Sequence, residues 1–271
     1  MSNSNEYLME DNEESKRLDI KTDSDAVKAQ ALWCGLGPGA RVLDVGCGAG
    51  KATSVLHTLI QPGGEAIGID FSEDRIMYAQ AHYGKTDGIN FQVRNFQRPM
   101  ADLGEFDFIW VRFVLEYFRD GAVDIIKNLT RNLKPDGWLC LLDLDYNCLN
   151  HWELPLDMET TLIKLMKHIE VHHNFDLYAG RKLYAYLYDL NFREINMHLM
   201  AHHLIYGELN EIDSFNWMKK IKVVSPKVLS IFEDYPGGSE AYYTNFTNFF
   251  RNPRRFTYTP LIMCKGKKPS S

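Results

Sequence analysis

Asp44 stands two residues ahead of a glycine run, Gly46-Cys-Gly-Ala-Gly50, and these are the residues in the chain best suited to holding a ligand. Gly46, Gly48 and Gly50 allow a tight turn and let a ligand approach main-chain atoms that a Cβ would shield. The spacing is G-x-G-x-G, whereas a dinucleotide loop has G-x-G-x-x-G with a helix N-terminus aimed at a pyrophosphate. A carboxylate beside that turn is a poor neighbour for a diphosphate and a good one for a positive amino group. The pattern therefore points to a nucleoside that carries an amino acid. Further on, Asp70 closes a second short apolar run, where an acid can accept hydrogen bonds from both hydroxyls of a ribose. Phe71 can cover an adenine face, and Asn95 offers both a donor and an acceptor to an adenine edge. Together these positions ring one adenosine. A nicotinamide-dependent oxidoreductase would also place an acid at Asp70, and that alternative stays open at this point.

The elements that must position these residues alternate in type. Arg41 to Val45, Glu65 to Asp70, Ile89 to Val93, Asp107 to Val111 and Trp138 to Leu144 are short apolar runs that read as buried strands. Between them lie helical stretches from Asp25 to Leu36, Lys51 to Ile60, Ser72 to about Tyr83 and roughly Asp120 to Leu133, with Ser72 placed to cap its helix. Such alternation predicts an α/β fold with a mostly parallel sheet, helices on both faces and ligands outside the carboxyl ends of the strands. Past Asp145 the rhythm changes. Leu156 to His173 and Arg181 to Leu190 read as helices, Glu194 to Tyr206 as a sixth strand and Thr257 to Lys265 as the last. Helical lid insertions are expected at about 146–178 and 208–250, the second rich in aromatics. Residues 1–24, with Tyr7, Leu8, Met9, Arg17 and Leu18, are expected to form an arm over the ligand site, leaving 25–271 as the main domain.

The 271 residues carry a formal net charge of -6, which disfavours a nucleic-acid backbone as partner, since phosphate binding relies on clustered Lys and Arg. The five cysteines, Cys34, Cys47, Cys140, Cys148 and Cys264, show no C-x-x-C spacing and read as free thiols in a reducing compartment. The acidic start has no apolar signal core, and no segment is long enough to span a bilayer, so the expectation is a cytoplasmic protein without a membrane span.

With these residues in view, the chain resembles a class I S-adenosylmethionine-dependent methyltransferase. VLDVGCGAG resembles the first motif and IGIDFS the ribose motif. FDFIWVRFVLEYF, NLKPDGWLCLLDLD and GRKLYAYLYDLNFREI resemble the fourth strand, the fifth strand with its turn, and the penultimate helix and strand. Within the class it is most similar to small-molecule enzymes of the ubiquinone and menaquinone biosynthesis type. The resemblance implies a Rossmann-like seven-stranded sheet in the order 3-2-1-4-5-7-6 with the last strand antiparallel. It implies S-adenosylmethionine as methyl donor, S-adenosylhomocysteine as product and a small-molecule acceptor. Asp44 and the glycine loop would lie at the methionine end, Asp70 on the ribose, Phe71, Asn95 and Phe96 around adenine, and Arg112 beside the methionine moiety. The family usually has Asp where this chain has Asn95.

Arg17 is a candidate partner for the cofactor carboxylate once the arm closes, because a guanidinium suits bidentate binding. Methyl transfer is a direct displacement in which positioning and desolvation do much of the work, so a base is optional. Candidate bases near the strand ends are Tyr117, Asp145, Tyr146 and His151. His168 and His172, four apart, and His198, His202 and His203 have spacings of interest for a metal, but neither group has an obvious third ligand and no metal site is expected. The remaining alternative is a catalytically silent module that binds S-adenosylmethionine.

Overall fold

The computed structural model describes residues 13–270, so Tyr7, Leu8 and Met9 lie outside the described residues. Two helices open the described residues, α1 (Glu14–Lys21) and α2 (Ser24–Cys34), the second capped by the Asp23 carboxylate and stopped by Gly35 in the left-handed region. The alternating part follows as β1 (Arg41–Val45), α3 (Lys51–Leu59), β2 (Glu65–Asp70), α4 (Glu73–Tyr83), β3 (Ile89–Val93), β4 (Phe106–Arg112), α5 (Ala122–Arg131) and β5 (Leu133–Leu144). Ser72 Oγ accepts the Arg75 N–H and starts α4 as its type predicts. Strand β5 begins earlier than expected, because Leu133 pairs with Phe106 and a register shift between Phe106 and Phe108 absorbs the Lys134 to Gly137 turn.

Next come α6 (Leu156–His172), α7 (Ala179–Asp189), β6 (Arg193–Tyr206), α8 (Glu211–Val224), α9 (Gly238–Arg251) and β7 (Phe256–Lys267). The seven strands form one sheet in the order β3-β2-β1-β4-β5-β7-β6, with β7 antiparallel to both neighbours. This is the order that the resemblance implies. It reverses direction between β1 and β4, and the crevice at their carboxyl ends is where open sheets of this kind bind ligands.

Period-two alternation divides the core into two layers. Leu43, Val45, Ile67, Ile69, Ile109, Val111, Leu139 and Leu141 face α5 and α7 on one side. Val42, Ala66, Phe108, Trp110, Cys140 and Leu142 pack against α2 and α3 on the other. A separate apolar cluster joins α6, α8 and α9 through Leu162, Trp217, Phe232, Tyr242, Phe246 and Phe250. The aromatic insertion is thus largely the core of a helical cap. All five cysteines are free thiols, and no helix among the described residues is long and apolar enough to cross a membrane.

Candidate active site

A cavity of about 540 Å³ opens at the carboxyl ends of β1, β2 and β4. Its floor is the glycine turn. Gly48 sits at φ +54 with its N–H donated to Asp70 Oδ2 at 3.0 Å, and a Cβ there would lie 3.2 Å from Leu18 on α1. Gly46, at φ +68, is pressed against Val114, whose Cγ2 would stand 2.5 Å from an added Cβ. Both glycines line the cavity. Gly50 does not: it starts α3 at φ +86, and a Cβ there would meet Ala79 at 2.7 Å and Phe91 at 2.8 Å, so its smallness serves helix packing.

Asp44 and Asp70 both line the cavity and are both buried. Asp44 Oδ2 accepts a 2.6 Å hydrogen bond from Thr53 Oγ1, yet burial pushes its carboxyl up to about 7 against the pull of Thr53 and nearby Arg112. Such a group is held ready for a positive partner, which would restore its charge. Asp70 is already employed by the protein: it accepts from Gly48 N–H, from Ser72 N–H at 3.0 Å and from Arg75 Nη1 at 3.2 Å. A carboxylate has about four lone-pair directions, so the fold leaves roughly one for a ligand hydroxyl instead of the pair expected from the sequence.

Phe71 is partly exposed at the rim, with its ring 4.3 Å from Phe96 and 6.2 Å from Phe118, and all three line the cavity. Asn95 lies outside it. Its side chain is exposed and its Oδ1 accepts the Gln97 N–H at 2.9 Å, an Asx turn that holds the amide against its own loop. Arg112 lines the cavity with its guanidinium 4.1 Å over the Phe113 ring and its Nε donating to Gln30 Oε1; burial lowers it to about 10. Arg17 is turned away from this cavity. It forms a bidentate pair with Glu14 one turn back, at 2.7 and 2.6 Å, and the cavity wall takes Leu18 and Lys21 from α1 and Thr22 from its C-cap.

Behind the first cavity lies a second of about 100 Å³, roofed by α6, α8 and α9. Lys21, Phe113, Tyr117 and Phe175 line both, so the two spaces meet at these side chains. Tyr117, on the 3₁₀ turn Leu115–Tyr117 after β4, is the one proposed base found at this junction. Asp145 is held by Arg181 through two 2.8 Å hydrogen bonds, and lines neither cavity. Tyr146 is partly exposed on a loop at φ +53, also away from both. His151 stands behind the wall: Nδ1 meets Thr257 Oγ1 at 2.8 Å, Nε2 meets the Cys148 carbonyl at 3.0 Å, and burial holds the ring down at about 4. With both nitrogens engaged inside an aromatic cage of Trp217, Phe246, Phe249 and Phe250, it is a packing residue.

The second cavity also holds Glu116 and Lys220, which motif reasoning missed, and His202 and His203, which the sequence singled out only for their metal-like spacing. The two histidines are adjacent on β6 and still face the same space, because the register shifts between Ala201 and His203 and the bulge re-aims the chain. His198 is elsewhere, exposed and stacked on Trp33. Burial pushes His202 well below its ordinary value and His203 down to about 2, so both are neutral. Among the described residues no group of three or more His, Cys, Asp or Glu side chains is placed to share a metal ion.

The chain belongs to the methyltransferase-domain family, whose model matches residues 36–213. Its sheet order is that of the class I S-adenosylmethionine-dependent methyltransferase fold. A demethylmenaquinone methyltransferase of Staphylococcus carnosus is 30% identical over 105 residues, a stretch covering 39% of this chain and 43% of that relative. The match thus spans less than half of the relative's length. The solved YcgJ protein of Bacillus subtilis superposes with a TM-score of 0.60 at 16% identity, covering 92% of this chain and all of the other. Phosphoethanolamine N-methyltransferase 2 of Haemonchus contortus, solved with S-adenosyl-L-methionine, gives 0.56 at 15% identity over 90% of this chain and 52% of that one. At these identities the two structures share the fold.

Proposed function

We propose that the chain binds S-adenosylmethionine in the large cavity and transfers its methyl group to a small-molecule acceptor in the second. The observation that carries this reading is the junction, where Lys21, Phe113, Tyr117 and Phe175 belong to the walls of both spaces. A donor and an acceptor bound in the two spaces would approach each other at these side chains. The dimensions and chemistry of the large cavity support the donor assignment: its volume lies in the range of ordinary cofactor sites, Gly46 and Gly48 leave the turn bare, and buried Asp44 suits an amino group. In this reading Asp70 and Asp44 hold the ribose and the amino group, while Phe71 and Phe96 shelve the adenine. When bound, the cofactor supplies an electrophilic methyl on a sulfonium. The residues of the junction orient the acceptor and exclude water, which is where an in-line displacement gains most. Tyr117, which lines both spaces, is the residue assigned to orient it in this reading.

The names of the demethylmenaquinone and phosphoethanolamine enzymes describe action on small molecules, which agrees with a compact acceptor space. A thermal-shift titration tests the donor. S-adenosylhomocysteine at about a hundredfold over its dissociation constant should add roughly 2.7 kcal/mol of stability. Stabilisation by NADH with none by S-adenosylhomocysteine would sink the reading. Consumption of S-adenosylmethionine in an acceptor screen then tests turnover and separates an enzyme from a silent binder.

A further inference from the structure

We propose that the second cavity selects an acceptor carrying one negative charge on oxygen, either a carboxylate or an ionised acidic hydroxyl, and rejects amines. The proposal rests on reading that cavity as the acceptor site. Its charged lining comes from three separate elements: Lys21 at the end of α1, Glu116 on the turn after β4 and Lys220 on α8. Arg17 also reaches the wall, but its charge is met by Glu14, itself buried, in the bidentate pair on the same helix. His202 and His203 are neutral. With Lys21 protonated, two lysines face one glutamate and the described lining carries one positive charge in excess. The surrounding wall is apolar, built from side chains such as Leu165, Met166 and Ile221.

Both lysines are anchored against aromatic faces, Lys21 Nζ at 5.9 Å from the Phe113 ring centre and Lys220 Nζ at 4.8 Å from that of Trp217. That geometry keeps their charge at the wall instead of in solvent. Glu116 is committed to the protein: Asn147 Nδ2 donates to its Oε2 at 2.9 Å. Burial, with Arg17 and Lys220 nearby, brings Lys21 down to about 7 despite Glu14 and Glu116, so its proton is weakly held in the ligand-free protein. An oxygen anion would restore the balance and hold the proton on Lys21. An ammonium group would repel Lys220 and oppose protonation of Lys21 in a poorly screened space, where such repulsion is strong.

Isothermal titration of the full chain saturated with S-adenosylhomocysteine tests this with four single-ring probes at pH 7.5: benzoate, 4-nitrophenolate, benzamide and benzylamine. At least one anion should bind about tenfold or more tighter than neutral benzamide, and benzylamine more weakly than benzamide. Preference for benzoate assigns the charge to a carboxylate, and preference for 4-nitrophenolate to an ionised hydroxyl. Benzamide or benzylamine binding as tightly as the better anion, or no measurable binding of either anion, would overturn the proposal. Lys220→Met should abolish most of the anion preference and Lys220→Arg should keep it, with S-adenosylhomocysteine affinity as the check on folding. If the methionine variant does not fold, the four-probe comparison on the unaltered chain still decides. Failure to bind S-adenosylhomocysteine at all would remove the functional reading itself, whereas cofactor binding without anion preference removes only this inference.

Discussion

Asp44 carries a cost in the ligand-free protein that its ligand is expected to remove. Its folded value of about 7 lies above the ordinary carboxylate range of the unfolded chain, and burial is the main cause. The folded state therefore holds a proton that the unfolded state has released, and stability falls as pH rises from about 4 to 7, then levels off. A shift of this size corresponds to on the order of 4 kcal/mol. Asp44→Asn keeps an acceptor for Thr53 and removes the charge. Urea unfolding should find this variant more stable than the parent by about 2–4 kcal/mol at pH 8 and by much less at pH 5. Its affinity for S-adenosylhomocysteine should fall about 10- to 100-fold, the worth of one charged hydrogen bond. Equal stability gains at both pH values would show that Asp44 is not the titrating group. Asp70 behaves differently, since it brackets Gly48, Ser72 and Arg75. Asp70→Ala should weaken S-adenosylhomocysteine binding and also lower the melting temperature, because it removes a buried ion-pair partner of Arg75 and the acceptor for two backbone N–H groups. A variant with weakened binding and unchanged melting would assign Asp70 to the ligand alone.

At the scale of elements, the first strands were legible as short apolar runs, buried almost throughout in β1 and β2, whereas the strand order was legible only through the family resemblance. The glycine turn was legible because its residues are contiguous and their spacing is itself the constraint. Side-chain direction was not. Asn95 folds back on its loop, Arg17 faces Glu14, and Gly50 serves α3 and α4, none of which spacing can express. The second cavity was harder still, since Lys21, Glu116, His202 and Lys220 come from four elements and one of them is aimed by a bulge. Asp145 shows how a strand-end acid can be purely architectural: it ties the end of β5 to the first turn of α7 through Arg181, which is 54% exposed. Asp145→Asn should therefore lower stability by only about 0.5–1 kcal/mol, as expected for a solvent-screened pair. In an assay of S-adenosylmethionine turnover its rate should stay within a few-fold of the parent; a loss of a hundredfold or more would return Asp145 to the chemistry.

For the molecule as a whole, the sheet and the cap are two hydrophobic cores with the cavities between them, and α1 bridges the gap without belonging to either. None of the apolar clusters among the described residues takes a side chain from α1. An eight-residue helix is marginal alone. It is held by polar contacts instead: Asp19 accepts from Tyr83 Oη at 2.5 Å, the Asp19 carbonyl accepts from Lys51 Nζ at 3.0 Å, and Glu13 pairs with Lys219 of the cap at 3.2 Å. Leu18 lies over Gly48, so the same helix covers the turn assigned to the donor. These facts predict that the arm acts on binding more than on folding. Deleting residues 1–22 should leave the cooperative melting of the sheet domain in place, because its cores are untouched. The affinity for S-adenosylhomocysteine should fall about tenfold or more, as the turn and Asp44 open to water and the electrostatic attraction there weakens. In the full chain, amides of α1 and of α8 should exchange more slowly when S-adenosylhomocysteine is bound, since the ligand would fill the space over which α1 closes. Unchanged affinity in the truncated protein, with no added protection of α1, would show that the arm is an ornament on the surface and that the donor site is complete without it.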